Sequence, residues 1–152
     1  MQMIEKLSCN KNALSRLAQL EKDNFVGEAW NEKMLAEMFA NPACGIYGLM
    51  QGEEMAGYCA IYSVGEEGDI SNIVVDKPYR GLGFGKLMMD FMLDIFQKTG
   101  VKTVFLEVNT ANLKAVNMYE NYGFKIISKR KNYYPEKNEH GSSDAYVMSK
   151  NL

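Results

Sequence analysis

The stretch Arg80-Gly81-Leu82-Gly83-Phe84-Gly85-Lys86 is the first place in this sequence where residue types and spacing suggest chemistry. Three alternate glycines let a main chain bend until several N–H groups point into one concavity, and a helix starting there adds a partial positive charge. Such a turn binds phosphate, and Lys86 would strengthen it. A Walker loop needs Ser or Thr after Gly-Lys, and Leu87 stands there, so that reading fails. A dinucleotide fingerprint would continue Gly81-x-Gly83-x-x-Gly, but Lys86 holds the third position and hairpin-like segments precede the turn. Glu107 lies near the distance of that fingerprint's ribose-binding acid, so nucleotide binding stays open beside a plain glycine-rich turn. Glu107 is itself notable. An acid inside the apolar run 101–108 costs free energy unless it is used or paired, so it is either a working carboxylate or half of a structural salt bridge.

The elements that would position these residues follow from periodicity. A short strand near Met3 precedes a helix carrying Ala13, Leu14, Leu17 and Leu20 at helical spacing. Asn31 stands where a side-chain cap would open a second helix, with Met34, Leu35, Met38 and Phe39 on its inner face and Pro42 as its stop. Between Cys44 and Asp76, short apolar runs broken by Gln51-Gly52-Glu53-Glu54 and Gly65-Glu66-Glu67-Gly68 read as a three-stranded antiparallel meander. The glycine-rich turn then opens an amphipathic helix whose inner face is expected to hold Leu87, Met88, Phe91, Met92 and Ile95. A strand over 101–108 and a helix from Asn112 to Tyr122 follow, and strand–helix–strand order implies parallel pairing. Two last strands flank the polar stretch from Asn132 to Ser143, expected to be exposed and mobile.

Composition sets the outer bounds. A chain of 152 residues with 47% apolar and 24% charged residues predicts one globular domain over 1–152, neither disordered nor fibrous. Net charge is −2 with the basic residues scattered, which argues against a nucleic-acid or anionic-membrane surface. No apolar run reaches membrane-spanning length, and Met1 to Lys6 lacks a signal-peptide pattern, so a cytoplasmic protein is expected. Cys9, Cys44 and Cys59 lack Cys-x-x-Cys spacing, and His140 is the only imidazole. Zinc is therefore not expected, and the thiols read as reduced and buried. His140 reads as solvated and is given no role.

Motifs in combination are more specific than any one. Arg80-x-x-Gly83-x-Gly85 occurs together with Ala29-Trp30-Asn31-Glu32-Lys33, Asn72-Ile73-Val74-Val75-Asp76, Leu106-Glu107-Val108, Asn112-x-x-Ala115, Met118-Tyr119-Glu120, Gly123-Phe124 and Asn132-Tyr133-Tyr134-Pro135. In that order they resemble the GNAT superfamily of N-acetyltransferases over nearly the whole chain, and more narrowly the bacterial ribosomal-protein-alanine N-acetyltransferases. The resemblance implies an α/β (α+β) GNAT fold, a mixed central sheet with flanking helices. It implies acetyl-CoA as co-substrate with no metal, and transfer to the N-terminal alanine of a small-subunit ribosomal protein. The expected partner is thus a protein N-terminus, with no direct contact to nucleic acid or membrane, and the chain would be a monomer or weak dimer.

Roles follow residue by residue from that resemblance. Ile73, Val74 and Val75 would use their backbone to pair with the pantetheine arm and to place an N–H beside the thioester oxygen, where donors stabilise the forming oxyanion. Arg80, Gly81, Leu82, Gly83, Phe84, Gly85 and Lys86 would hold the pyrophosphate. Asn112 would touch the cofactor as well as cap its helix. Glu107 would be the general base and Tyr119 the acid for the departing thiolate, its alternative being a buried helix aromatic. Trp30, Tyr133 and Tyr134 would line the acceptor groove, with core packing the alternative for Trp30. An α-amine titrates near about 7.8 and a lysine near about 10.4, roughly 3.5 kcal/mol apart, so a carboxylate acting through water would find the α-amine easier. One departure concerns acceptor choice: the family commonly has Arg after Leu-Glu-Val, and Asn109 stands there. The other functions considered are transfer to a lysine, polyamine or antibiotic, and a coenzyme A binding module without catalysis.

Overall fold

Asparagine side chains open three of the four α-helices found among the described residues. The computed structural model describes residues 2–25, 29–135 and 140–152. Asn10, Asn31 and Asn112 accept from the N–H groups of Ala13 at 2.8 Å, Met34 at 2.9 Å and Ala115 at 3.3 Å. They start α1 (Lys11–Asn24), α2 (Glu32–Ala40) and α4 (Leu113–Asn121). The other helix, α3 (Phe84–Lys98), begins at Gly83 without a side-chain cap, and Gly83 adopts a left-handed φ of 86° that favours glycine.

Seven strands form one sheet: β1 (Gln2–Lys6), β2 (Cys44–Gln51), β3 (Glu54–Val64), β4 (Glu67–Val75), β5 (Thr103–Asn109), β6 (Lys125–Arg130) and β7 (Ala145–Asn151). Their spatial order is β1-β2-β3-β4-β5-β7-β6, and β4–β5 is the parallel pair in an otherwise antiparallel sheet. The mixed sheet with flanking helices agrees with the expected fold class.

Two apolar layers hold the sheet. On one face α3 and α4 pack Met88, Met89, Met92, Phe96, Val116 and Tyr119 over Cys59, Ile61, Ile70, Val104 and Leu106. On the other, α1 and α2 pack Leu17, Leu20, Leu35 and Met38 over Ile46, Tyr58, Ala60 and Val74. Each fully buried side chain of this kind contributes about 1.5–3 kcal/mol.

The inner faces of two helices differ from the expected ones. In α3 the buried residues are Phe84, Met88, Met89, Met92 and Phe96, while Leu87 is exposed and Phe91 is half-buried, edge-on to Tyr47 at 5.0 Å. The Phe96 ring lies on Gly68, where a Cβ would stand 2.5 Å from its Cε1, and this contact fixes the helix's rotation. In α2, Leu35 and Met38 face the sheet and Met34 points outward. Cys9 is exposed and Cys44 half-buried, so only Cys59 is the buried thiol expected of all three. The stretch between β6 and β7 is tied down where described: Tyr134 N–H donates to Ser143 O at 2.8 Å and Asn132 N–H to the Asp144 carboxylate at 3.1 Å. Its residues 136–139 lie outside the described residues. No described helix is long and apolar enough to cross a membrane.

Candidate active site

The parallel pair β4–β5 is the feature that makes a site. Pairing covers only Glu67–Ile70 against Thr103–Leu106, although β4 runs on to Val75 and β5 to Asn109. Beyond Ile70 and Leu106 the two strands part. Each arm stays fastened on its outer side, Val75 opposite Gly57 of β3 and Asn109 opposite Ala145 of β7. A bulge marks the root of the fork: Ile61 pairs with Ile70 and Ala60 with Asn72, leaving Ser71 as the extra residue. A bulge bends its strand and adds twist, a device common beside active sites. The fork's inner edges therefore offer unpaired main-chain groups.

A cleft of about 780 Å³ opens at the fork. Of the residues singled out from the sequence, Glu107, Tyr119, Asn112, Ile73, Trp30, Tyr133 and Tyr134 line it together. Val74, Val75 and residues 80–86 do not. The Val74 side chain is buried under α1 and α2, and Val75 packs toward α3. Any contact these two make in the fork belongs to their backbone. The glycine turn follows the free end of the β4 arm, with Gly81 at φ 78° and Gly83 at φ 86°. No described group accepts from the N–H groups of residues 81–86; the first to bond back is Leu87, to Gly83 O at 3.1 Å. A run of uncommitted donors at a helix start fits an anionic diphosphate. The Arg80 side chain is otherwise engaged. It donates to Val75 O at 3.0 Å and to Asn24 Oδ1 at 2.8 Å, and Asn24 donates to Asp76 at 2.9 Å. This clamp ties the glycine turn to the end of α1.

Glu107 is half-buried, with Arg130 of β6 at 3.3 Å. Arg130 also lies over the Tyr133 ring, 4.5 Å from its centroid, and Tyr133 meets Tyr134 edge-on at 4.9 Å. Tyr119 comes from α4 on the other side of the sheet, buried and edge-on to Phe124 at 6.0 Å. No described residue hydrogen-bonds its hydroxyl, and burial pushes the phenol up to about 12. Asn112 caps α4 as expected and also lines the cleft.

Some cleft residues were not singled out from the sequence. Glu21 of α1 is buried, accepting from Tyr58 Oη at 2.9 Å and from Trp30 N–H at 3.0 Å. Asn72 donates to Tyr58 Oη at 3.1 Å and accepts from Ser71 at 2.7 Å, so this chain of bonds runs from α1 to the bulge. Helical spacing was the available signal, because Leu14, Leu17, Glu21 and Asn24 share one face. Asp69 lines the cleft too; burial first, then the charge of Glu107, pushes its carboxyl up to about 6. It carried the same signal as Glu107, an acid beside strand residues. Asn109, noted from the sequence as the departure from the family's usual Arg, is buried at the end of β5, accepting from Ala111 N–H at 2.9 Å and donating to Ser142 O at 2.6 Å. His140, given no role from the sequence, is on the cleft wall. Among the described residues no group of His, Cys, Asp and Glu is arranged to hold a metal ion.

Known proteins resemble this chain in sequence and fold. The sequence model of the acetyltransferase (GNAT) family matches residues 14–124. The [ribosomal protein bS18]-alanine N-acetyltransferase of Escherichia coli (strain K12) is 34% identical over 124 residues, 79% of this chain and 79% of that protein. The crystal structure of the ribosomal-protein-S18-alanine N-acetyltransferase from Escherichia coli aligns with a TM-score of 0.88 at 30% identity, covering 100% of this chain and 94% of that one. A Bacillus subtilis acetyltransferase in complex with CoA aligns with a TM-score of 0.81 at 20% identity, covering 100% and 99%, a likeness of fold.

Proposed function

This chain belongs to the acetyltransferase (GNAT) family, and we propose that it moves the acetyl group of acetyl-CoA to the N-terminal α-amine of a protein, an alanine of a small-subunit ribosomal protein. The observation that carries this reading is the fork: a carboxylate and a buried phenol on the walls of one cleft, beside unpaired strand edges, one of which leads into a glycine turn with uncommitted N–H groups. The acceptor is argued from the Escherichia coli relative and from the ease of deprotonating an α-amine.

Each part of the chain has a task. The N–H groups of residues 81–86 hold the pyrophosphate, and Arg80 keeps that turn in place through Val75 and Asn24. The inner edge of β4 from Ser71 to Val75 pairs with the pantetheine amides and aims an N–H at the thioester oxygen. Glu107 takes a proton from the acceptor's ammonium, directly or through water. The neutral nitrogen then attacks the thioester carbon, a C–N bond forms and the C–S bond breaks. The nitrogen's second proton ends on the coenzyme A sulfur, so one ammonium and one thioester give one amide, one thiol and one proton. Tyr119 hydrogen-bonds the sulfur as charge develops there. With its phenol at about 12 and a thiol near about 8.5, complete proton transfer would be uphill by about 5 kcal/mol, so donation of a hydrogen bond is its main role. Trp30, Tyr133 and Tyr134 form the apolar walls against which the peptide's first residues lie.

A panel of peptides with varied first residues, alongside lysine-containing peptides, polyamines and aminoglycosides, tests the proposal by mass spectrometry. The expected product is an N-terminally acetylated alanine peptide. Turnover of small amines with none of the alanine peptides would reject this acceptor.

A further inference from the structure

A carboxylate that the mechanism leaves unused stands at the root of the fork. Asp69 occupies the penultimate paired position of β4, opposite Phe105 of β5 and, on its other side, opposite Tyr62 of β3. Laterally paired residues share a sheet face and side chains alternate along a strand, so Glu107, two beyond Phe105, emerges on the same face as Asp69. Both line the cleft.

The three carboxylates that line the cleft among the described residues differ in their partners. Glu107 has Arg130 at 3.3 Å, and Glu21 is held by Tyr58 and the Trp30 N–H. Among the described residues no hydrogen bond or ion pair reaches the Asp69 carboxylate. Among the described residues no Lys or Arg lines the cleft, and His140 is their one basic side chain on its wall. The neighbours that act on Asp69 make matters worse for its charge: burial and the Glu107 carboxylate both disfavour it. A half-buried carboxylate of this kind is relieved by a mobile cation, and the cation that must enter this cleft is the acceptor.

We propose that Asp69 is a binding residue for the acceptor's ammonium group, holding it at the root of the fork beside Glu107 until Glu107 takes its proton. The assignment rests on the acetyl-transfer reading and adds to it a charge-reading element: the acceptor is recognised as a primary ammonium. Asp69 makes no bond to the thioester and takes no part in bond breaking.

The test is steady-state thiol release by the full chain, saturated with acetyl-CoA, for the wild type, Asp69→Asn and Asp69→Glu. Two alanine-initiated peptides serve as acceptors, one with a neutral and one with a basic second residue. The wild-type panel alone decides whether alanine peptides are the acceptors; if another amine is turned over instead, the variants are compared on that amine. Asp69→Asn is expected to raise the acceptor KM about five- to tenfold, a charged hydrogen bond discounted for solvent. The rise should be equal for both peptides, with kcat and the acetyl-CoA KM nearly unchanged, and Asp69→Glu should recover most of it. An unchanged acceptor KM in Asp69→Asn overturns the assignment. So does a loss confined to kcat, or a KM effect seen only with the basic second residue, which would make Asp69 a reader of that side chain. Thermal unfolding of both variants separates these outcomes from misfolding.

Discussion

Replacing Tyr119 by Phe removes a single oxygen from a side chain that is 6% exposed and leaves its edge-on packing against Phe124 in place. The hydroxyl has no described hydrogen-bond partner, so its loss orphans nothing in the folded protein. Stability should therefore hold, since the hydroxyl opens onto the cleft, where water can bond it. Catalysis should not hold. A hydrogen bond to a developing thiolate contributes about 1.5–3 kcal/mol, which is about 10- to 150-fold in rate. Because that bond strengthens only as the C–S bond breaks, the loss belongs in kcat, with the acetyl-CoA KM little altered. Steady-state thiol release and a thermal unfolding curve on the same preparation read both quantities. An unchanged kcat would refute the placement of Tyr119 at the sulfur. A cooperative loss of stability would refute the claim that its hydroxyl is structurally idle.

Three other outcomes follow from the geometry. Gly57→Ala would set a Cβ 2.2 Å from the Val74 carbonyl oxygen, and backbone on both sides cannot yield cheaply, so the variant should lose about 1–3 kcal/mol in urea titration and show a raised acetyl-CoA KM as the β4 arm shifts. Tyr58→Phe leaves Glu21 and Asn72 without the hydroxyl they share, a cost of about 1–3 kcal/mol that calorimetry should register as a drop of several degrees in Tm. Asp69→Asn should be the more stable protein at pH 8. The folded-state value of Asp69, about 6 against an ordinary 3.8, means that the native protein binds this proton more tightly than the unfolded chain. Wild type thus gains stability from this group as pH falls from about 7 to 4, and the variant's advantage, about 1–2 kcal/mol after solvent screening, should vanish over that interval.

Local signals were legible and long-range ones were not. The caps at Asn31 and Asn112, and the turn at Gly81 to Gly83, follow from short-range chemistry, and the structure has each of them in place. The inner face of α3 was misjudged at Leu87 and Phe91, because the helix's rotation is fixed by Phe96 lying on Gly68, a contact between residues far apart in the chain. The acid in the strand, Glu107, was legible from its apolar neighbours; that Arg130 faces it was not, since β7 intervenes between β5 and β6 in the sheet. Glu21 was missed because an acid near the end of a mixed helix, with Lys22 and Asp23 beside it, reads as solvated until Tyr58 and Trp30 are brought to it. The fork itself depends on where pairing stops and on one extra residue at Ser71, neither of which leaves a mark in residue type.

The most direct test of the fork as the site of acetyl transfer is a crystal structure with a bisubstrate analogue, coenzyme A joined through an acetyl bridge to the nitrogen of an alanine peptide. Electron density is predicted to place the sulfur between the arms of β4 and β5, against Tyr119, with the bridged nitrogen facing Glu107 and the diphosphate on the amides of residues 81–86. Density showing the sulfur outside the fork, with Glu107 directed away from the bridged nitrogen, would contradict the account.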